Sequence, residues 1–299
     1  MVLGDYMKSG FVSLVGRPNV GKSTLLNAII DRKIAITSNV AGTTRNIIEG
    51  IYHEKDTQII FVDTPGISKP LNKLGKVLNK QATALTKDVD LILLVVDIES
   101  GIGKGDKFLM NNLLQNKIPV ILVINKIDKV SNEKLIKAIA EYKDYHFAEI
   151  IPVSALEDDN IDHLIGVIKK YLKDDIKYYN DDVITSSSTS FMVSEIVREK
   201  LLHNTMEEIP HSITCHCTNI ENKKDIVNIN VDIIVDKQNL KKIIIGAGGE
   251  MLKKIGSLAR KDLEEMFSKK VYLELYVKVV ENWKDKERYL KELGFFDYE

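Results

Sequence analysis

Between residues 11 and 172, short apolar runs alternate with amphipathic stretches. The runs 11–15, 59–62, 91–96, 120–124 and 149–153 are aliphatic and often β-branched. Each gives way to a polar or glycine-containing loop, which predicts buried strands. The intervening segments 22–30, 74–85, 104–115, 133–142 and 161–172 carry apolar residues at helical spacing. Strands alternating with helices predict an α/β unit, a mixed and mostly parallel sheet with helices on both faces. Segments 46–52 and 57–62 flank the short polar turn 53–56, so one antiparallel edge strand is expected.

The pattern changes past residue 172. Residues 173–182 are acidic and 185–190 reads Thr-Ser-Ser-Ser-Thr-Ser, the composition of a linker. Beyond it a helix is expected near 191–208, strands near 212–219 and 226–235, and a strand running into a glycine corner at 246. A helix over 249–267, a strand over 271–280 and a last helix over 284–293 follow. These elements do not alternate as βαβ units, so the second domain is α+β. The expected division is 1–174, a linker over 175–190, and 191–299.

Composition narrows the function classes. The 299 residues are 44% hydrophobic and 28% charged, enough for packed cores. Lys+Arg 42 against Asp+Glu 43 gives a net charge of −1, which excludes a protein that coats nucleic acid through overall positive charge and leaves room for a local basic patch. The longest apolar run stops at Asp97, far short of the roughly 20 residues of a membrane-spanning helix. The first ten residues lack the apolar core of a signal peptide. Cys215 and Cys217 are the only cysteines and offer no disulfide framework, so a cytoplasmic protein is expected.

Chemistry enters at Gly16-Arg17-Pro18-Asn19-Val20-Gly21-Lys22-Ser23, followed by Thr24, which fits G-x-x-x-x-G-K-[ST] between a predicted strand and a predicted helix. Gly16 and Gly21 let the backbone wrap a phosphate, with N–H groups and the positive helix end facing it. Lys22 supplies a point charge to the outer phosphates and the Ser23 hydroxyl a ligand for Mg²⁺. Asp63-Thr64-Pro65-Gly66 ends another predicted strand, where a carboxylate meets Mg²⁺ and the Gly66 N–H can contact the γ-phosphate. Asn125-Lys126-Ile127-Asp128 ends a third. Guanine presents two adjacent donors that the Asp128 carboxylate can accept, whereas adenine would leave that carboxylate unpaired. Asn125 and Lys126 would brace the loop and stack on the base. Ser154-Ala155-Leu156 follows a fourth strand, with the Ala155 backbone facing the base oxygen. GTP and GDP are the expected ligands.

The order of these motifs resembles the small GTPase-like G domains. Gly-Arg-Pro-Asn-Val-Gly-Lys-Ser-Thr-Leu-Leu-Asn (16–27) with Thr43-Thr44-Arg45 resembles the TrmE–Era group, a likeness covering roughly residues 10–172. In Ras-like enzymes a Gln after the Asp-x-x-Gly motif orients the attacking water. Ile67 stands there and cannot, so unaided hydrolysis is expected to be slow. The resemblance implies that Asn19 ligates a K⁺ ion bridging the phosphates, the other reading being a loop-stabilising hydrogen bond. Segment 31–46 is the expected first switch, with Thr44 contacting Mg²⁺ and the γ-phosphate and Thr43 as the alternative lining residue. Lys22, Thr44, Gly66 and Asn19 are thus the candidate catalytic residues.

In the second domain, Gly246-Ala247-Gly248-Gly249 has the G-x-x-G spacing of the KH loop, whose glycines let the chain approach a nucleic-acid backbone. Residues 237–261 hold seven basic residues and one acidic one, Glu250, a local +6. Lys253, Lys254 and Arg260 are the candidate phosphate contacts, the alternative being a solvated basic helix face. Segments 191–200, 208–212, 259–267 and 271–279 resemble the type II KH domain of the Era family, extending the likeness to nearly the whole chain. Many family sequences carry a Lys within the corner, where this chain has Ala247-Gly248. The resemblance implies binding near the 3′ end of small-subunit ribosomal RNA during assembly of the small ribosomal subunit, and peripheral association with the inner face of the membrane. No obligate protein partner is evident. The alternative is a passive assembly factor with negligible hydrolysis. Cys215-His216-Cys217 places its cysteines and histidine on opposite sides of a strand, so no metal site is expected there. His146 and His163 read as structural, and Trp283 and Tyr289 as anchors of the last helix.

Overall fold

The computed structural model describes residues 7–38, 40, 42–67, 69–205 and 212–296. The chain forms two compact units that divide at Ser186 and Ser187. The first is built from β1 (Lys8–Val15), α1 (Lys22–Ile30), β2 (Ile48–Glu54), β3 (Thr57–Asp63), α2 (Lys73–Ala84), β4 (Leu91–Asp97), α3 (Lys104–Leu113), β5 (Val120–Asn125), α4 (Asn132–Tyr142), β6 (Glu149–Pro152) and α5 (Ile161–Ile168). Its six strands run in the order β2-β3-β1-β4-β5-β6, all neighbours parallel except β2 and β3. The antiparallel edge strand read from the sequence is present, turned by Lys55 and Asp56.

Strand burial explains the continuous apolar runs. Ile92, Leu94, Val96, Leu122 and Ile124 pack under Leu109, Met110 and Leu113 of α3 and Tyr142 of α4. The alternate positions Leu93, Val95, Ile121 and Val123 are also wholly buried, and α1 packs on β2, β3 and α5, so both faces are covered. Four sheet strands, β1, β3, β5 and β6, end in the loops that carry the nucleotide motifs, the usual place for a site in a parallel sheet.

The stretch 175–186, expected as a linker, is strapped along this unit. Ser9 and Asp174 exchange backbone hydrogen bonds, the Ile51 N–H donates to Ile184 O at 2.9 Å, and Thr185 Oγ1 donates to Glu49 O at 2.6 Å. Its polar composition reflects exposure of the outer side. The backbone still finds partners, because β2 is an edge strand with unpaired groups.

The second unit contains α6 (Thr189–Asn204), β7 (Ile213–Asn222), β8 (Ile226–Val235), α7 (Gln238–Ile245), α8 (Glu250–Phe267), β9 (Lys270–Val279) and α9 (Glu287–Glu292). β7 and β8 pair antiparallel, β8 and β9 in parallel. The expected strand before Gly246 is a helix instead. Ile243-Ile244-Ile245 reads as β-branched, yet only Ile244 is fully buried while Ile243 is 48% exposed, the one-sided burial of a helix packed on α8 and β9. The expected helix 191–208 begins earlier, at Thr189, and its part beyond 205 lies outside the described residues, as do 208–211 of the KH-like match. The last helix is shorter than expected. A 3₁₀ turn at Trp283–Asp285 precedes it, with Trp283 buried and its Nε1–H donating to Ser212 O.

Candidate functional site

The phosphate loop spans the turn from β1 to α1. The Lys22 ammonium is buried and donates to the carbonyls of Gly16 at 3.3 Å and Arg17 at 3.2 Å. Burial lowers its pKa from the ordinary lysine value, with the nearby Asp63 carboxylate opposing. Ser23 Oγ donates to Asp63 Oδ2 at 2.6 Å and stands 2.8 Å from Thr44 Oγ1. Asp63 is fully buried, and burial raises its pKa against the pull of Lys22, Ser23 and Thr44.

Asp63 Oδ1 is buried with no hydrogen-bond partner among the described residues. A hydroxyl from the phosphate loop, a hydroxyl from the switch segment and an orphaned carboxylate oxygen form a hard, all-oxygen donor set that fits Mg²⁺. Thr43 is turned elsewhere, its Oγ1 donating to Val40 O at 2.6 Å, so of the two neighbouring threonines Thr44 stands at this cluster.

Gly66 closes the loop from the other side. A Cβ there would stand 2.7 Å from Pro18 N, so only glycine allows this approach. The Ile67 N–H donates to Gly16 O at 3.3 Å, and the Ile67 side chain packs against the apolar cluster under α3. Thr64 Oγ1 is tied to Leu14 O, and Pro65 is buried between these contacts.

The base motifs interlock. Asn125 Nδ2 donates to Val20 O at 2.9 Å, and Asn125 Oδ1 accepts the Ala155 N–H at 3.0 Å, so one buried amide couples the phosphate loop to the Ser-Ala turn. Ser154 Oγ donates to Asp128 Oδ1 at 2.7 Å, and Lys129 Nζ lies 3.6 Å from Asp128 Oδ2. Lys126, in left-handed backbone at φ 66°, donates to Asn19 O at 2.9 Å and to Asp97 Oδ2 at 2.7 Å. Leu156 is 67% exposed and flanks the turn. Asp97 was missed by motif reading, although an acid closing the longest apolar run at a strand's end was a signal of the same kind as Asp63.

Arg17 differs from its neighbours in the loop. Its guanidinium is turned to Asp106 and only its main chain, with those of Pro18, Asn19, Val20 and Gly21, lines the phosphate turn. The Asn19 backbone is left-handed, at φ 66°. Thr24 is half-buried in the first turn of α1.

In the second unit the G-x-x-G corner joins two helices, α7 and α8. Gly246 has φ 76°, and a Cβ there would stand 2.9 Å from the Met251 backbone N. Gly248 and Gly249 also have positive φ, with open space around both. Ala247 is exposed, as are Lys253, Lys254 and Arg260, so the basic side chains stand in solvent along α8. Cys215 and Cys217 are buried and His216 is exposed, and no cluster of three or more His, Cys, Asp or Glu side chains placed to hold a metal occurs among the described residues.

A phosphate loop, an acid-tipped strand and a carboxylate base pocket on a mostly parallel sheet, followed by a G-x-x-G helix corner on a three-stranded sheet, define a P-loop GTPase that carries a KH domain. Comparisons with known proteins agree. The sequence matches the family described as 50S ribosome-binding GTPase over residues 11–126 and the KH domain over residues 208–284. It is similar to a tyrosine-to-alanine variant of Aquifex aeolicus Era bound to GDP·AlF4−, with 40% identity, a TM-score of 0.93, and coverage of 97% of this chain and 99% of that one. It is equally similar to Era in complex with MgGDPNP and nucleotides 1506–1542 of 16S ribosomal RNA, at 40% identity, a TM-score of 0.94 and the same coverage. The chain belongs to the Era family of GTPases. Among its described residues no helix is long and apolar enough to cross a membrane.

Proposed function

We propose that this protein hydrolyses GTP to GDP and phosphate, and that its KH domain grips small-subunit ribosomal RNA near the 3′ end during assembly of the small subunit. The orphaned Asp63 Oδ1, buried beside Ser23 and Thr44, carries the nucleotide half of this reading, because a buried carboxylate oxygen without a partner is costly unless a cation completes it. Ser23, Thr44 and Asp63 would hold Mg²⁺, which when bound neutralises charge on the outer phosphate oxygens. Lys22 exchanges its two loop carbonyls for those oxygens. The Gly66 N–H meets the γ-phosphate, and the Asp128 carboxylate selects guanine. Asn19 is the K⁺ candidate, compensating for the lack of a water-orienting side chain at Ile67. Positioning and charge stabilisation carry transfer to water without a catalytic base.

RNA contact is assigned to Gly246, Ala247, Gly248 and Gly249, with Lys253, Lys254 and Arg260 on the phosphates. The similar Era complexed with a 16S ribosomal RNA fragment supports RNA as the ligand. The cytoplasm is the proposed location, with peripheral contact at the inner face of the membrane.

Packing of Ile67 into the apolar cluster favours a second reading, a passive clamp that binds nucleotide and barely turns it over. Single-turnover hydrolysis in K⁺ and in Na⁺, with and without an RNA fragment carrying the small-subunit 3′ end, separates the two. Faster turnover in K⁺ or with RNA supports the enzyme. No turnover in any condition favours the clamp.

A further inference from the structure

Residues 101–106, Gly-Ile-Gly-Lys-Gly-Asp, belong to none of the nucleotide motifs. They form a fitted socket for one side chain of the phosphate loop. Arg17 Nε donates to Asp106 Oδ1 at 2.8 Å, and Arg17 Nη2 lies 2.7 Å from Asp106 Oδ2, a two-pronged fork. Asp106 is fully buried, and its Oδ2 also accepts the Gly103 N–H at 2.8 Å. Nη2 further reaches Gly101 O at 3.3 Å and Ser100 Oγ at 3.4 Å. A Cβ at Gly105 would stand 2.8 Å from Arg17 Cδ, and one at Gly103 would stand 3.2 Å from Arg17 Nη1. Both glycines therefore leave room for the arginine.

The anchored residue also supplies one of the two carbonyls that hold Lys22, at 3.2 Å, beside that of Gly16. Fixing Arg17 to α3 fixes one of the two peptides from which the Lys22 ammonium is aimed. Displacement of a reacting group by about an ångström costs on the order of a hundredfold in rate.

We propose that the Arg17–Asp106 fork is a positioning device for phosphoryl transfer, setting the phosphate loop so that Lys22 meets the outer phosphate oxygens, and that it acts on turnover and not on base selection. This rests on the GTPase reading above.

The test is a full-chain double variant, Arg17→Gln with Asp106→Asn, which keeps the shape and strands no buried charge. It should melt close to the wild type and keep GDP affinity within about threefold, while turning over saturating GTP at least about tenfold more slowly. Saturating turnover within about twofold of the wild type overturns the proposal, and so does a loss of GDP affinity in step with turnover. If the double variant does not fold, Arg17→Lys keeps the charge and loses the fork. A matching fall in saturating turnover supports the proposal, and wild-type turnover overturns it. Failure of the GTPase reading is distinguishable, because wild-type protein would then leave GTP intact with Mg²⁺, K⁺ and RNA present.

Discussion

Gln58 grips Tyr179 at both of its backbone groups. Its Oε1 accepts the Tyr179 N–H at 3.0 Å while its Nε2 donates to Tyr179 O at 2.8 Å, and Oε1 also takes the Tyr178 N–H at 2.8 Å. Gln58 is wholly buried on β3, so one side-chain amide serves as the missing strand partner for the segment that leads toward the KH domain. Replacing Gln58 with Leu leaves these backbone groups unpaired and should cost about 1–3 kcal/mol. Hydrogen exchange is expected to accelerate at Tyr178 and Tyr179 while β4 and β5 stay protected. Unchanged protection at the two tyrosines would refute the clasp.

Acid should release Mg²⁺-dependent nucleotide binding earlier than an ordinary carboxylate would. The folded-state pKa of Asp63 is raised, chiefly by burial. The carboxyl therefore takes up a proton, and loses its use as a ligand, above the usual aspartate range near about 4. In the nucleotide-free protein the sign is opposite for stability. This group favours folding at low pH, and that contribution is lost as pH rises through its folded value. Calorimetric titration of Mg·GDP between pH 4.5 and 7 checks the first effect, for which Asp63→Asn should give a flat, weak profile.

Base choice should follow Asp128 and its brace. Asp128→Asn exchanges an acceptor for a donor and is expected to weaken GDP binding roughly 100-fold, with xanthosine diphosphate regaining affinity. Ser154→Ala removes the 2.7 Å hydrogen bond to the Asp128 carboxylate and the one that Ser154 Oγ accepts from the Glu157 N–H at 3.2 Å. A loss of about tenfold is expected. Competition binding with guanine, adenine and xanthine nucleotides measures both, and equal affinities across the three for the wild type would dispose of the pocket.

At the KH corner, backbone approach and charge should separate experimentally. Gly248 has φ 57° and open space around it, so Gly248→Asp should fold while placing an anion where phosphate would lie. RNA binding should fall by far more than the small loss of stability, about 1 kcal/mol, that left-handed backbone costs a residue other than glycine. Lys253→Ala and Lys254→Ala should each reduce the slope of log K against log salt by about 0.7. Slopes equal to the wild type would remove these lysines from the interface.

Local chemistry made much of this protein readable from its sequence alone. The phosphate loop, Asp63, Asp128 and the G-x-x-G corner are contiguous motifs whose residue types are dictated by what they touch, and the apolar runs of β4 and β5 announce strands buried on both faces. The tertiary structure alone decided the contacts made across long stretches of chain. Arg17 with Asp106, Lys126 with Asp97, and the strap with Gln58 join residues that no spacing rule connects. The same holds for Ile243-Ile244-Ile245, whose branched side chains suit a strand and a helix alike. Packing against α8 and β9, which buries Ile244 and leaves Ile243 in solvent, made it a helix, because one-sided burial is a property of the neighbours and not of the segment.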